Sequence, residues 1–180
     1  GVGILVSPDF APSILNYQQV NDIVDQHNET VWIKLKRGNK FYAYGSTYRT
    51  PSVNNTQYAQ HVTSKKYNEN LQKQLNFLKT EKEQNKIEHF YLAGDFNCED
   101  PAWAEATGGS DPNGAEIISI LSSVGMVPIN TDTISHNTKN IDVIFSSDPF
   151  ATEKFFQWPM ADFSDHKVII ADLNLHPIDI

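Results

Sequence analysis

The stretch "HFYLAGDFNCED", residues 89–100, decides the fold. Its apolar run at residues 90–93 is typical of a buried strand, and the run breaks at Gly94 into Asp95 and Asn97. An acid that leaves a buried strand is costly unless it is paired or binds a ligand. Asp and Asn also close tight turns, so two interpretations stay open here: a turn or a binding site.

Two later segments also place polar residues at the ends of apolar strands. Asp142 lies inside the run "NIDVIF" at residues 140–145, and "SDH" at residues 164–166 precedes the apolar run "VIIA". Taken singly, Asp142 fits an edge strand and "SDH" fits a cap. Taken together, the three strand ends are explained by one site at one edge of a sheet, because an unpaired acid in a strand is costly.

Strands are predicted on both sides of these segments. Residues 30–36 alternate in polarity, Gly38 and Asn39 follow, and a second strand then runs on until Pro51 stops it. This pattern is typical of a β-hairpin. The opening residues 1–6, "GVGILV", read as a further buried strand.

Two helices are predicted between the strands. The first lies between residues 54 and 85, and its predicted buried stripe consists of Leu71, Leu75 and Leu78. The second starts at "DPNG", residues 111–114, and stops at Gly125. Its predicted buried face consists of Ile117, Ile118, Leu121 and Val124. Strands that alternate in part with helices predict the α/β class, with mixed sheets covered by helices.

Length and cysteine content limit the possibilities. The chain has 180 residues, and we expect residues 1–180 to form a single domain. Its only cysteine, Cys98, excludes an internal disulfide and favours a reducing compartment. No apolar run approaches the roughly 20 residues that span a bilayer, so we expect no membrane association.

The net charge of −8 argues against a protein that binds nucleic acid by overall attraction. A polyanion would need a local basic patch, a metal ion or a further segment. The candidate patch consists of Lys34, Lys36, Arg37 and Lys40. The alternative is that these residues form a solvated hairpin tip.

The motifs "GDFN", "IDVIF" and "SDH", in this order, resemble the endonuclease/exonuclease/phosphatase superfamily. The segments "GVGILVS", "YRTPS", "LAGDFN" and "NTKNIDVIFSS" are similar to the apurinic-type endonuclease domain of non-LTR retrotransposons. The likeness runs from Gly1 to about Asp172. It implies a four-layer, DNase I-like α/β sandwich in which two mixed β-sheets are covered by helices.

The resemblance implies a catalytic role for five residues. Asp95 would orient or deprotonate the attacking water, and Asn97 would hold the scissile phosphate. His166 would contact the phosphate, and Asp142 would pair with His166 to favour its cation. Tyr48 would donate its hydroxyl to the phosphate.

The resemblance also implies a divalent metal ion, either Mg²⁺ or Mn²⁺. Asp165 would face this ion. Mg²⁺ keeps several waters, so one or two carboxylates suffice. The expected substrate contacts are Arg49, Ser164, His136, Asn137 and Thr138, with Ser164 also supporting its loop. For residues 136–138 the alternative is a polar surface turn.

The implied function is a Mg²⁺-dependent endonuclease that nicks DNA for reverse transcription. Such a domain would be linked to a reverse transcriptase and would be intracellular, and nuclear if part of a retroelement. One alternative is a superfamily phosphatase or phosphodiesterase acting on a small or lipid phosphoester. A second is a catalytically incomplete remnant that binds nucleic acid or a partner.

The sequence departs from the family at its start. The family places an Asn and a metal-binding Glu on strands upstream of "GVGILV", and neither has a counterpart here. The expectation is a domain that lacks its first strands, with weakened metal binding and hydrolysis. Exposed apolar surface and self-association are expected as well, because missing strands leave an edge or a face uncovered.

Overall fold

A computed structural model describes residues 2–9, 14–23, 29–51, 57–105, 108–131, 134–150, 152–158 and 164–173. In chain order the strands and helices are β1 Ile14–Asn16, α1 Gln18–Asn21, β2 Glu29–Arg37, β3 Lys40–Tyr48, α2 Gln57–Glu83, β4 His89–Asp95, α3 Pro101–Ala104, α4 Pro112–Ser123, β5 Val127–Pro128, β6 Asp142–Ser146, β7 Thr152–Trp158 and β8 Val168–Leu173. The order alternates strands with helices, as predicted for the α/β class.

The main sheet has six strands in the order β1-β2-β3-β4-β6-β5. Only β3 and β4 pair in parallel among the described strands, because the long helix α2 connects them. The predicted hairpin is confirmed as β2 and β3, and Gly38 supplies the left-handed turn conformation with φ 59°. The sheet is therefore mixed, as predicted.

Helix α2 supplies the core on one face of this sheet. The predicted stripe is confirmed, because Leu71, Leu75 and Leu78 are all fully buried. They belong to one apolar cluster with Trp32 and Phe90. The predicted alternation of β2 is confirmed, but the alternation does not indicate which face of the strand is more buried. The Trp32 face packs against the helix, while Ile33 on the opposite face stays half-buried.

Helix α4 begins and ends where the sequence predicts. The carboxylate of Asp111 accepts hydrogen bonds from the backbone N–H groups of Asn113 and Gly114, so it caps the helix. Gly125 ends it with φ 77°. One member of the predicted face was misplaced, because Ile120 is buried and Ile118 only half-buried.

A second sheet consists of the antiparallel pair β7 and β8. Leu173 of β8 packs against Tyr42 and Tyr91 of the main sheet, which places the two sheets face to face. The two sheets and the helices beside the main sheet give three of the four predicted layers within the described residues. The second sheet is antiparallel rather than mixed, and the sequence analysis did not predict β7.

The outer face of the second sheet leaves Phe156, Trp158 and Ile170 exposed, to between 45% and 67% of their surface. This agrees with the expected exposed apolar surface, whereas self-association stays a prediction. Among the described residues no helix is long and apolar enough to cross a membrane.

The predicted strand at residues 1–6 is wrong for the part that the structure describes. Residues 2–7 have no regular secondary structure, and Leu5 is fully exposed. A strand needs a neighbour that accepts its hydrogen bonds. The edge of β2 is instead taken by Ile14–Asn16, which pairs with residues 33–35.

Candidate active site

Three strands end side by side at the carboxyl end of β4. Tyr48 of β3 lies opposite Asp95 in the sheet register, and Asp95 lies opposite Asp142 of β6. Gly94 makes this close pairing possible, because a Cβ atom at this position would meet the Thr47 carbonyl oxygen at 1.9 Å. The sheet thus places a phenol and two carboxylates in one row.

Asp95 both closes a turn and faces the site, so the two interpretations of the "GDFN" stretch apply together. Its Oδ1 accepts a hydrogen bond of 2.8 Å from the backbone N–H of Asn97, which has φ 49°. Burial raises the pKa of Asp95, and the neighbouring Asp142 carboxylate raises it further. A carboxylate with a raised pKa is a stronger base at neutral pH.

His166 reaches the same place from the segment that precedes β8. Its Nδ1 lies 2.8 Å from Oδ2 of Asp142, so the structure brings this expected pair together. Burial lowers the pKa of His166, but the Asp142 hydrogen bond and the charges of Asp142, Asp95 and Asp165 outweigh burial and raise that pKa. Asp95, Asp142 and His166 each place one ligand atom within 4.8 Å of the others.

A second histidine–aspartate pair lies beside the first. Nε2 of His136 is 2.8 Å from Oδ2 of Asp165, and this hydrogen bond lowers the pKa of Asp165. The imidazole rings of His136 and His166 have their centroids 4.5 Å apart. The turn at residues 135–139 therefore joins the site, although the sequence analysis expected Asp165 to face a metal rather than His136.

The backbone fixes the two pairs relative to each other. The backbones of His136 and His166 form an isolated antiparallel bridge, and the N–H of Lys167 donates to the Ser135 carbonyl at 2.8 Å. The hydroxyl of Ser164 accepts a hydrogen bond from the His166 N–H at 3.0 Å, and its expected contact with the substrate stays a prediction.

Ser135 is one residue near the site that the sequence did not single out. It is fully buried, and its hydroxyl oxygen accepts the backbone N–H groups of Ile141 and Asp142 at 3.0 and 2.9 Å. It therefore holds the 135–139 turn against the start of β6. The only signal was a serine within a polar turn, which is too common to single out.

Asn97 and Arg49 are both tied to the backbone near the row. The Asn97 side-chain nitrogen donates to the Arg49 carbonyl at 2.8 Å. The Arg49 side chain is 1% exposed and bonds the Phe96 carbonyl and the Asn113 side chain. The expected substrate contact by Arg49 is therefore corrected, since its guanidinium is enclosed by protein and supports the loop that carries Asn97.

Two hollows border the site. One, of about 210 Å³, is lined by Asp95, Asp142 and Lys167 among others. The other, of about 580 Å³, is lined in part by Asn97, His136, Asn137, Thr138 and Lys139. The expected contacts at residues 136–138 thus line a cleft beside the carboxylates. Sequence reasoning had not named Lys139 or Lys167, because isolated lysines carry little signal.

Two of the four residues in the basic patch predicted on the hairpin are paired with acids. Lys34 lies 3.7 Å from the Glu81 carboxylate, and Lys40 lies 2.8 Å from that of Glu88. Lys36, Arg37 and Lys40 are exposed, which agrees with the alternative of a solvated hairpin tip. The exposed lysines at the site are Lys139 and Lys167 instead.

The donor set also fits the expected divalent ion. Asp95 and Asp142 stand opposite each other on paired strands, and like charges so placed repel unless a cation joins them. Two carboxylates and water suit the oxygen preference of Mg²⁺. Asp165 lies on the other side of His166, so its expected contact with this ion stays a prediction.

The sequence matches one known protein family. The endonuclease–reverse transcriptase family matches residues 42–170, well over half of the chain, in agreement with the resemblance drawn from the three motifs. No curated protein matches the sequence.

Several solved structures are similar to this chain. The endonuclease domain of TRAS1, a telomere-specific non-LTR retrotransposon, has a TM-score of 0.60 and 14% identity over 91% of this chain and 69% of its own. Beta toxin of Staphylococcus aureus with bound magnesium ions has a TM-score of 0.48 and 18% identity, over 81% of this chain and 57% of the toxin. The human Nocturnin catalytic domain with bound sulfate has a TM-score of 0.47 and 15% identity, over 80% of this chain and 51% of that domain. The TRAS1 likeness supports the DNase I-like α/β fold.

Proposed function

We propose that this chain, which belongs to the endonuclease–reverse transcriptase family, is a metal-dependent phosphodiesterase that nicks DNA. The observation that carries the proposal is the convergence of Asp95, Asp142 and His166 within 4.8 Å at one sheet edge. These residues come from two strands of the main sheet and from the segment before β8, which are distant parts of the chain. A base, a cationic donor and a pair of metal-binding oxygens are what phosphodiester hydrolysis requires.

Asp95 is the group that accepts a proton from the attacking water. Burial raises the pKa of Asp95 in the metal-free protein, and the Asn97 N–H fixes the orientation of one carboxylate oxygen. Asn97, held by the Arg49 carbonyl, borders the cleft where the phosphate would lie.

His166 stabilises the charge that develops on the phosphate. Its Nδ1 donates to Asp142, which leaves Nε2 to donate to a phosphate oxygen when the ring is protonated. The raised pKa of His166 keeps more of the ring protonated near neutral pH. Tyr48, one strand away from Asp95, adds a hydroxyl donor to the same row.

The carboxylates of Asp95 and Asp142 would hold a divalent cation, Mg²⁺ or Mn²⁺. When bound, the ion would supply positive charge to the phosphate oxygens. The residues of this chain would contribute the carboxylate oxygens. Asp165 supplies a further carboxylate if the 164–167 loop shifts away from His136.

Nucleic acid is favoured as the substrate by the lysines at the site. Lys139 lines the larger hollow, and Lys167 lines the smaller one together with the paired carboxylates. The two lysines place local positive charge at the site in a chain whose net charge is −8. Linkage to a reverse transcriptase and action in the nucleus are parts of this proposal, and the family name supports the first.

Plasmid nicking tests the activity. Supercoiled DNA should become open circular with the wild type and Mg²⁺, and Asp95→Asn should lower the rate at least about 100-fold, as for other general bases. His89→Gln is the matched control, since His89 forms a similar pair with Asp148 elsewhere in the fold. Equal nicking by wild type and Asp95→Asn would remove the assigned role.

Salt dependence tests the substrate. Replacing Lys139 and Lys167 with Gln should weaken plasmid binding and lower the slope of log affinity against log salt by about one per lost phosphate contact. Lys73→Gln, on the exposed face of α2, should leave the slope unchanged. Turnover of a lipid or sugar phosphoester, with no nicking, would favour the small-substrate alternative. No turnover of either kind, in a folded protein, would favour the incomplete remnant.

A further inference from the structure

His136, Asp165 and His166 form a second cluster that the proposed chemistry does not use as a unit. One nitrogen from each imidazole and one carboxylate oxygen lie within 4.8 Å of one another. We propose that this cluster is a binding site for a transition-metal ion of the Zn²⁺ type, separate from the Asp95 and Asp142 carboxylates.

The donor atoms select the metal. Two imidazole nitrogens with one carboxylate oxygen suit Zn²⁺ and Co²⁺, whereas Mg²⁺ prefers oxygen ligands alone. Three protein ligands with a fourth position open to water form a common zinc arrangement. The two sites next to each other therefore differ in chemistry, because one offers carboxylates and the other offers imidazoles.

A hydrogen bond to His166 supports the same assignment independently. Metal-binding histidines usually donate their other ring N–H to a carboxylate, which fixes the tautomer and strengthens the ligand. Nδ1 of His166 lies 2.8 Å from Asp142 Oδ2, so Nε2 is the nitrogen that points to a ligand. The half-buried Asp142 thus prepares His166 as a metal ligand, without having to move.

The backbone holds the three ligands in place. The bridge between His136 and His166 and the bond from the Lys167 N–H to the Ser135 carbonyl join the two segments that carry them. The Asp165 side chain is 68% exposed, so it can swing slightly to admit an ion between its oxygen and His136. The ion would replace the direct contact of 2.8 Å between these two groups.

Occupancy of this site has a consequence that rests on the proposed function. A metal on Nε2 of His166 takes the nitrogen that would donate to the phosphate. Zn²⁺ and a scissile phosphate would then compete for His166. The site would act as an inhibitory one, and its metal binding can be measured without any activity.

Cobalt spectroscopy tests the site directly. Wild-type protein in metal-free buffer is titrated with Co²⁺, and a visible d–d band should grow to one equivalent and vanish when Zn²⁺ is added. A large excess of Mg²⁺ should leave the band in place. His136→Ala and Asp165→Asn should each lower Co²⁺ affinity at least about tenfold, as loss of a metal ligand or its support does.

Two controls locate the ion. His89→Gln, in the other described histidine–aspartate pair, should keep the band. Circular dichroism on each variant confirms that it is folded. The proposal is overturned by a wild type that shows no band, by His136→Ala and Asp165→Asn that bind Co²⁺ as wild type does, or by loss of the band in His89→Gln.

Discussion

The two histidine–aspartate pairs at the site have the same contact distance but different surroundings. His166 and Asp142 are 2.8 Å apart, with 33% and 20% of their side chains exposed. His136 and Asp165 are also 2.8 Å apart, but the Asp165 side chain is 68% exposed. Asp142 belongs to a strand of the main sheet, whereas Asp165 and His136 lie on loops.

The difference shows that a contact distance alone does not define a role. Water screens an exposed ion pair and leaves it worth little, while a half-buried pair keeps its electrostatic effect. Asp142 can therefore hold the charge of His166, whereas water screens the exposed contact between Asp165 and His136. The proposed function accordingly uses the first pair in catalysis, and the proposed Zn²⁺-type site uses the second.

The largest expected difference between the pairs is in catalysis. His166→Ala should lower the plasmid-nicking rate at least about 100-fold, because it removes a positioned donor to the phosphate. His136→Ala should lower it less than about tenfold, since the contact of His136 with the exposed Asp165 is screened by water. Rates are compared under single-turnover conditions with Mg²⁺ and without transition metals. Equal losses in the two variants would abolish the distinction.

The sequence predicted one pair and not the other for a physical reason. Asp142 and His166 sit where apolar strands begin or end, and burial makes such polar residues conspicuous. His136 and Asp165 lie in polar loops, where histidine and aspartate are ordinary. Their proximity depends on how β8 docks against the 135–139 turn, and no local pattern encodes that.

The fold was likewise predictable from local sequence patterns only in part. Strong periodicity located α2 and α4, and a glycine turn located the hairpin. The segment at residues 2–7 is as apolar as a strand but has no strand neighbour among the described residues. Strand β7, with the sequence "TEKFFQW", lacks clear alternation and became visible only through its pairing with β8. Pairing partners are tertiary facts, so the sequence gives them only indirectly.

The burial of Arg49 was equally hidden. A residue next to Tyr48, in a segment similar to a nuclease motif, suggested a phosphate contact. The structure instead encloses its guanidinium, where it bonds Phe96 and Asn113. Buried arginines are rare, so an exposed role was the natural expectation.

Ser135 contacts the segments that carry both histidine–aspartate pairs, because its hydroxyl accepts the Asp142 N–H and its carbonyl accepts the Lys167 N–H. Its loss should destabilise the protein. Ser135→Ala leaves the buried N–H group of Ile141 and the half-buried N–H group of Asp142 without their acceptor. We expect the free energy of unfolding to fall by about 2 kcal/mol, the cost of an unsatisfied buried group. Urea denaturation measures it. Ser122→Ala on the exposed side of α4 is the control and should change stability by less than about 0.5 kcal/mol.

The electrostatic part of the comparison is tested by titrating His166. Asp142→Asn removes a charge that holds the pKa of His166 above its ordinary value of 6.5, so that pKa should fall. Asp165→Asn should lower it less, because Asp165 acts from a greater distance through solvent. Imidazole NMR signals in metal-free buffer, assigned with His166→Ala, report both.

The raised pKa of His166 also determines the direction in which stability changes with pH. The folded pKa of His166 is raised, so the stabilisation by Asp142 is fully present below the unfolded pKa and is lost as pH rises through the folded pKa. In the Asp142→Asn variant, stability should therefore no longer change with pH between the unfolded and the folded pKa of His166. A variant with an unchanged titration curve would show that Asp142 does not hold the charge.

The smallest expected effect concerns the turn that carries His136. Asn137 has φ 49°, a left-handed conformation that Asn and Gly tolerate and that costs other residues roughly 1–2 kcal/mol. Asn137→Gly should therefore change the free energy of unfolding by less than about 0.5 kcal/mol, whereas Asn137→Ala should lower it by about 1 kcal/mol. Both variants remove the contact between the Asn137 side chain and His136 Nε2, so the difference in stability between them reports the backbone conformation alone.

If the Gly and Ala variants are equally stable, the turn adopts another conformation, and the pairing of His136 with Asp165 no longer follows from the local backbone. If only the Ala variant is destabilised, the left-handed residue holds His136 next to His166, and the exposed pair is positioned by the chain rather than by its own charges.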